Sequence, residues 1–399
     1  MRKNLNRLAT LALSGMMVMS MTAPAFAATS VKFDKILHTD GHTHAPDTTF
    51  SFKVESSKET SYTIGGETYN NLKPKAGVED AIKVADVVFK PKAGELGEVD
   101  PGKGAHFTKE NSLTINPAAF DREGYYVFTL TEIPGDYEGI RYNKTEYKVV
   151  VFKGKATTEN PDGITITVSK PGKTEGSIEK PDSIENNYGK HEPPNPNEYP
   201  DPKPDPEDPS DKPDPNPNNT THDVIVTKKL AGVLPNQAKT FKFSVNVVPA
   251  QGKKEVYKVV AYDASKPEGQ RESTNPTDFK YIENGQPVEF TGITESKGFR
   301  VYGLTKNDKV VVTEADGQTY TMTVDAITNS LIKNLDKTNL ANYTTSFFVK
   351  GDEAKVEITN TKGNITPTGI VMNVAPYAMM LAVAGGLGVV FMNRKKEEE

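Results

Sequence analysis

The 399-residue chain contains no cysteine and no tryptophan. Without cysteine no disulfide can form, so an exported protein of this kind needs large cores or another stabiliser. The chain also has no excess of positive charge, since its formal net charge is −5, which gives no support to a nucleic-acid partner. It shows no phosphate-binding loop, Ser-His-Asp order or paired-carboxylate site. We therefore predict a protein that is not a turnover enzyme and needs no cofactor.

Glycine and proline are abundant instead, with 31 and 28 residues, while hydrophobic residues make up 35% of the chain. This composition favours turns and β-structure, with part of the chain unfolded. The length suggests two or three domains. Residues 189–222 are rich in proline and polar side chains, so they cannot bury a core and are predicted to form an extended polyproline II linker. This linker separates two globular blocks, residues 28–188 and 223–362.

Both ends of the chain carry features of an exported protein. Residues 1–27 have a basic start, an apolar centre and the small-x-small sequence Ala25-Phe26-Ala27, which predicts a secretory signal peptide. The apolar centre is short for the alternative, a permanent membrane anchor. Residues 370–392 are mostly apolar and precede a basic cluster, so they are predicted to form a transmembrane segment that retains the chain transiently.

The two blocks repeat one another in outline. Four segments recur in the same order, alternate apolar and polar residues, and are rich in Val, Phe, Tyr and Thr, which is typical of a β-sandwich. We therefore predict an all-β protein with two immunoglobulin-like β-sandwich domains. Residues 78–87, VEDAIKVADV, allow a short helix within the first block. The matched segments are 31–37 with 224–230, 49–54 with 240–245, 126–132 with 310–314, and 184–186 with 358–360.

Each block places one lysine, one glutamate and one asparagine among apolar side chains. Because successive side chains of a strand point to opposite faces, Lys35 shares the face of Phe33 and Leu37. The same count applied to every matched segment selects six inward polar residues: Lys35, Glu132 and Asn186 in the first block, and Lys228, Glu314 and Asn360 in the second.

A buried lysine, glutamate and asparagine can react with one another. Burial disfavours the charged forms of an amine and a carboxylate, and a neutral amine in an apolar pocket is a nucleophile. A protonated carboxyl group can polarise the asparagine carbonyl and protonate the leaving nitrogen. The predicted product is a Lys–Asn isopeptide bond, formed once in each block with loss of ammonia, with Glu132 and Glu314 as catalytic groups. The alternative is a buried Lys–Glu ion pair beside a hydrogen-bonded asparagine.

This arrangement, followed by Pro-Thr-Gly near the C-terminus, resembles the sortase-assembled two-domain major pilins of Gram-positive bacteria. Their domains are of the pilin isopeptide-linkage and Cna-B types. The resemblance covers residues 29–399 apart from the linker, and it implies cross-links between Lys35 and Asn186 and between Lys228 and Asn360. The sequence departs from the family in its long linker and in lacking the usual aromatic residue two places before Asn186.

Residues 363–399 resemble a sortase sorting signal. The motif Ile365-Thr366-Pro367-Thr368-Gly369 has the x-x-Pro-Thr-Gly form. The resemblance implies that a sortase cuts after Thr368 and passes it to an amine of the next pilin or of peptidoglycan. In similar pilins the acceptor lysine lies shortly before the last asparagine of the first domain, which points to Lys180 and then to Lys173. The implied location is a pilus on the cell wall, with sortase, other pilin subunits, peptidoglycan and host surface ligands as partners.

Two other functions remain open from the sequence. The chain could be a wall-anchored monomeric adhesin with the same domains, in which the linker acts as a stalk. His38, His42 and His44 lie within seven residues, a spacing that could bind Zn²⁺ or Cu²⁺. No fourth ligand is evident beside them, so a solvated polar loop is the favoured interpretation and no metal site is predicted.

Overall fold

A computed structural model describes most of both globular blocks. The predicted signal peptide, nearly all of the predicted linker and the sorting signal from residue 364 onward lie outside the described residues. Within the described part of the chain, no helix is long and apolar enough to cross a membrane. The described residues are 30–64, 66–78, 80–101, 104–171, 178–179, 181, 183–188, 222–232, 239–250, 252–315, 319–338, 343–351 and 353–363.

The chain divides into two compact domains with a boundary between Thr221 and His222, except that Lys253–Glu255 group with the first domain. In each domain, residues from two β-sheets share a hydrophobic core, which makes a two-layer sandwich. The all-β prediction is confirmed. In the described residues the helical structure consists of three short 3-10 segments, Pro117–Ala119, Pro276–Asp278 and Asn329–Leu331.

The first domain contains two six-stranded sheets and a separate hairpin. Its strands are β1 (Ser30–Thr39), β2 (Thr48–Ser56), β3 (Ser61–Ile64), β4 (Glu67–Asn70), β5 (Ile82–Val84), β6 (Val87–Phe89), β7 (Glu98–Asp100), β8 (Gly104–Ile115), β9 (Gly124–Ile133), β10 (Ile140–Arg141), β11 (Tyr147–Lys153), β12 (Ile164–Pro171), β13 (Ile178–Glu179) and β14 (Ser183–Tyr188). One sheet has the order β10-β14-β1-β8-β5, with β7 also paired to β8. The other has the order β13-β12-β11-β9-β2-β6, and β3 pairs with β4.

In its described residues the second domain repeats this plan with eleven strands. They are β15 (His222–Gly232), β16 (Phe241–Val248), β17 (Val256–Asp263), β18 (Lys280–Glu283), β19 (Val288–Ile293), β20 (Lys297–Leu304), β21 (Lys309–Glu314), β22 (Thr321–Ala326), β23 (Ile332–Lys333), β24 (Thr344–Val349) and β25 (Ala354–Lys362). One sheet has the order β18-β17-β20-β15-β25-β22 and the other β19-β16-β21-β24-β23.

Residues 78–87 do not form the short helix that their sequence allows. Strand β5 covers residues 82–84 and β6 begins at Val87, with β5 paired to β8 and β6 paired to β2. Ile82, Val87 and Phe89 are buried by this pairing. Branched apolar side chains that alternate with polar ones suit a half-buried strand, and the neighbouring strands decide between the two conformations.

The first and last strands of each domain pair in parallel with the same register. In the first domain Lys35 lies opposite Ile184, and in the second Lys228 lies opposite Ile358. The asparagine of each last strand follows two residues after that isoleucine and therefore points to the same face. Both domains thus bring a lysine and an asparagine together on neighbouring strands, although the two residues are far apart in the sequence.

Asp308 joins three segments of the second domain. Its fully buried carboxylate accepts hydrogen bonds from the backbone N–H groups of Ala250 and Thr305, both at 2.8 Å. It also accepts from the hydroxyl groups of Thr305 and Tyr257, both at 3.1 Å. Burial nevertheless raises the pKa of Asp308 to about 6. The folded domain therefore holds a proton at this group under conditions where the unfolded chain does not.

We expect Asp308 to make the second domain more stable as the pH falls through about 6 towards about 4. The raised pKa of the folded state makes this contribution about 3 kcal/mol more favourable at the lower end of the window than at neutral pH. Calorimetric unfolding of the full chain across this window measures it. Asp308→Asn should remove this component of the pH dependence, and an unchanged pH dependence in the variant would show that another group is responsible.

Candidate functional site

Lys35, Glu132 and Asn186 meet in the interior of the first domain. Lys35 lies in the middle of β1, Glu132 near the end of β9 and Asn186 in β14. All three are buried, and Lys35 and Asn186 have no exposed surface. Lys35 points inward because buried and more exposed side chains alternate along β1, as the strand period requires.

The carboxylate of Glu132 bridges the other two side chains. Lys35 Nζ lies 2.8 Å from Glu132 Oε2, and Asn186 Nδ2 donates to Glu132 Oε1 at 2.5 Å. The Lys35 amine also donates to Asn186 Oδ1, and to the backbone carbonyl of Ile184 at 3.2 Å. These contacts hold the amine directly against the side-chain amide of Asn186.

The second domain places the corresponding residues around its glutamate, but there Asn360 Oδ1 has no hydrogen-bond partner among the described residues, whereas Asn186 Oδ1 accepts from Lys35. Lys228 on β15, Glu314 at the end of β21 and Asn360 on β25 are all buried. Lys228 Nζ donates to Glu314 Oε2 at 2.8 Å, and Asn360 Nδ2 donates to Glu314 Oε1. In both domains, therefore, one oxygen of the glutamate faces the amine and the other faces the amide nitrogen. One carboxyl group can exchange protons with both reactants at once.

Aromatic rings cover both lysine amines. Lys35 Nζ lies 4.6 Å from the ring centroid of Phe50, and Lys228 Nζ lies 4.6 Å from that of Phe241 and 5.6 Å from that of Phe243. Phe50 and Phe241 occupy the same position of the repeated Thr-Phe-x-Phe segment. The repeated segment predicts that the two phenylalanines occupy equivalent positions. It does not by itself predict that they cover the lysine.

Burial lowers the pKa of both lysines. The loss of hydration outweighs the attraction of Glu132 for Lys35, whose pKa lies below its usual range. For Lys228 burial lowers the pKa to about 8, against the attraction of Glu314 and Glu295. A lysine with a lowered pKa gives up its proton more readily and so becomes a better nucleophile.

The histidine-rich loop is packed, contrary to the solvated loop favoured from the sequence. His38 lies in β1 with its Nε2 3.0 Å from Glu185 Oε2, while His44 is buried and His42 half-buried. Asp40 turns the loop by accepting hydrogen bonds from two of its backbone N–H groups, at 2.8 and 2.7 Å. In the described part of the chain, no three His, Cys, Asp or Glu side chains are placed to hold a metal ion.

The residues predicted to take part in intermolecular linkage are not among the described ones. The two candidate acceptor lysines, Lys173 and Lys180, lie in gaps before β14, and the sorting motif of residues 365–369 lies after the last described residue. The structure therefore brings the six residues predicted to form internal cross-links together in two groups of three, one in each domain. The linkage between subunits stays a prediction from the sequence.

Comparison with known proteins finds a family that the first domain resembles. Residues 31–189 match the model of the FctA, Spy0128-like isopeptide containing domain. The first domain is similar to this family over nearly its whole length. Over 354 residues the chain is 23% identical to a pilin from Streptococcus pyogenes serotype M1, and the match spans 88% of this chain and 86% of that pilin. The chain is therefore similar to a pilin over most of its length.

A solved structure resembles the fold of this chain. The crystal structure of the major pilin from Streptococcus pyogenes matches with a TM-score of 0.53 and 20% sequence identity, covering 83% of this chain and 98% of that chain. At this identity the likeness concerns the fold, and it agrees with an all-β architecture across both domains. The alternating segments of the sequence predict this β-sandwich fold.

Proposed function

We propose that this protein is a structural pilin subunit of a Gram-positive surface pilus, stabilised by the isopeptide bonds Lys35–Asn186 and Lys228–Asn360. The main support is that a buried glutamate occurs twice with one oxygen at the lysine amine and the other at the asparagine amide nitrogen. An ion pair alone is a weak explanation, because the desolvation of a buried ion pair offsets most of its attraction. It also gives no reason for an asparagine bonded to each glutamate.

The three side chains of each domain supply a balanced reaction. The glutamate takes a proton from the lysine ammonium group, and the neutral Nζ attacks Cγ of the asparagine. The carboxyl group then passes its proton to Nδ2, the Cγ–Nδ2 bond breaks, and ammonia leaves. The glutamate finally takes the remaining excess proton from Nζ, which leaves an amide. Each site reacts once, so the protein is a single-turnover catalyst of its own cross-linking and not an enzyme with turnover.

Each bond would tie the first strand of its domain to the last. The enclosed loops contain 151 residues in the first domain and 360 − 228 = 132 in the second. By analogy with disulfides, closing loops of this length stabilises a domain by about 4–5 kcal/mol, mainly by restricting the unfolded state. The bonds would thereby replace the disulfides that a chain without cysteine cannot form.

For assembly, the proposal assigns Thr368 as the residue that a sortase joins to a lysine of the next subunit or to peptidoglycan. The support is the Ile365–Gly369 motif, the apolar segment and basic cluster that follow it, and the likeness to a pilin. Lys180 is the first candidate acceptor and Lys173 the second. In the finished subunit, Thr368 would follow closely after β25, the strand that holds Asn360.

We expect Thr368→Ala to abolish a ladder of high-mass covalent polymers in wall extracts of the producing cells. Thr361→Ala, at the end of β25 and outside the motif, serves as the control and should keep the ladder. Lys180→Arg should reduce the ladder to single subunits, whereas a loss caused only by Lys173→Arg would move the acceptor to that residue. Wild-type extracts with a single wall-linked species would favour the monomeric adhesin.

A further inference from the structure

The strand that carries Lys228 loses one of its two neighbours just before the lysine. Strand β20 pairs with β15 from His222 to Thr227. Beyond Thr227, residues of the turn between β19 and β20 form the hydrogen bonds to β15 instead. The Ser296 backbone N–H donates to the Lys228 carbonyl at 2.8 Å, and Glu295 Oε2 accepts from the Leu230 N–H at 2.6 Å. A carboxylate side chain thus replaces a backbone partner beside the reactive residue.

This turn is pressed closely against β15. Ser296 adopts a left-handed backbone conformation, with φ of 64°. A Cβ atom at Gly298 would lie 1.8 Å from the Val226 carbonyl oxygen, so only glycine allows this approach. The geometry fixes the position of Glu295 relative to the strand, and the side chain is half-buried.

In the first domain, the strand that carries the lysine keeps a neighbouring strand on both sides. Strand β1 pairs with β8 along its whole length from Ser30 to Thr39, and Lys35 lies opposite Lys109 within that pairing. The backbone around Lys35 is therefore held by strands on both sides. The two domains share their reactive side chains but differ in what positions the lysine.

Glu295 also adds a negative charge near the Lys228 amine. Its attraction, together with that of the closer Glu314, opposes the effect of burial on the pKa of Lys228. An opposite charge favours the protonated amine, which cannot attack a carbonyl carbon. The hydrogen bond and the charge of Glu295 therefore act on the reaction in opposite directions.

We propose that Glu295 is a positioning residue for the isopeptide bond of the second domain: its hydrogen bond to Leu230 sets the segment that carries Lys228, and its charge restrains the amine. This inference rests on the proposed cross-linking function. It predicts that the amide and alanine variants change the reaction rate in opposite directions. Gln at position 295 keeps an oxygen acceptor for Leu230 without the charge, whereas Ala removes both.

The test follows both bonds in one full-length chain. Protein kept unfolded in denaturant is diluted into refolding buffer and sampled over time, and mass spectrometry quantifies each cross-linked peptide. The Lys35–Asn186 bond serves as the internal clock. Relative to it, we expect Glu295→Gln to form the Lys228–Asn360 bond about threefold faster and Glu295→Ala about tenfold slower. Glu289 is an exposed glutamate on the nearby β19, where it pairs with Lys242. Glu289→Gln should therefore behave as wild type.

Each result decides the inference. Equal slowing by both variants would leave Glu295 with a structural role alone and overturn the proposal, as would wild-type rates in both. If Glu295→Ala fails to fold, the rate of Glu295→Gln relative to the first domain still tests the role of the charge. A wild-type chain in which neither bond forms would instead refute the proposed function on which the inference rests.

Discussion

Glu314→Ala is expected to leave Lys228 and Asn360 unlinked while the bond between Lys35 and Asn186 still forms. The reason is that Glu314 is the group placed to move protons between the amine and the amide nitrogen, with one oxygen on each. Glu132→Ala should have the reciprocal effect in the first domain. Peptide mapping by mass spectrometry identifies which bond is missing in each variant.

The loss of a bond should also lower the stability of its domain. By the disulfide analogy the lost loop constraint amounts to about 4–5 kcal/mol, and a buried lysine without its carboxylate partner adds about 3–5 kcal/mol. Glu314→Gln separates these effects from a failure to fold, because it preserves the shape of the side chain but cannot relay protons. Glu357→Ala, on the less buried face of β25 and paired with Lys229 rather than Lys228, is the matched control. A Glu314→Gln chain with the second cross-link intact would remove the glutamate from the mechanism.

Asn360→Ala should convert the second domain from a mechanically closed loop into one that unfolds under force. When the chain is pulled from its ends, the Lys228–Asn360 bond would carry the load past the residues between them, since the two lie 360 − 228 = 132 positions apart. In the variant these residues can be drawn out, which adds roughly 450 Å of contour length at about 3.4 Å per residue. Single-molecule force spectroscopy detects this as an additional extension step.

Asn186→Ala supplies the corresponding test for the first domain, with 151 residues released. Thr359→Ala is the control for the second, because it changes the neighbour of Asn360 on the same strand without touching the reactive groups. A wild-type second domain that already extends to its full length under moderate force would contradict a covalent link between its first and last strands.

The strand period was enough to find the six buried polar residues. In β1 and β25, buried side chains alternate regularly with less buried ones, so counting in twos from apolar neighbours identified Lys35 and Asn360 correctly as inward. The repetition of the pattern in two blocks, with the same residue types in the same order, then connected strands that are far apart in the chain. The alternation within each strand predicted the burial of the six residues, and the repeat predicted that they lie close together in each domain.

Other features depended on which strands become neighbours. Phe50 covers Lys35 because β2 lies beside β9, and residues 78–87 form strands because β8 and β2 are available to pair with them. Glu295 contacts β15 only because β20 stops pairing at Thr227. The histidine-rich loop reads as solvated from its polar residues, yet Asp40 folds it back and His44 is buried. These outcomes are tertiary effects that residue patterns do not encode locally.

The most direct test of the account is the intact mass of the wild-type ectodomain, residues 28–363, purified after folding. The account predicts a mass lower than that of the sequence by two molecules of ammonia, and peptide mapping that assigns one loss to Lys35–Asn186 and one to Lys228–Asn360. A mass equal to that of the unmodified sequence would contradict it and leave both buried sites as ion pairs with a hydrogen-bonded asparagine.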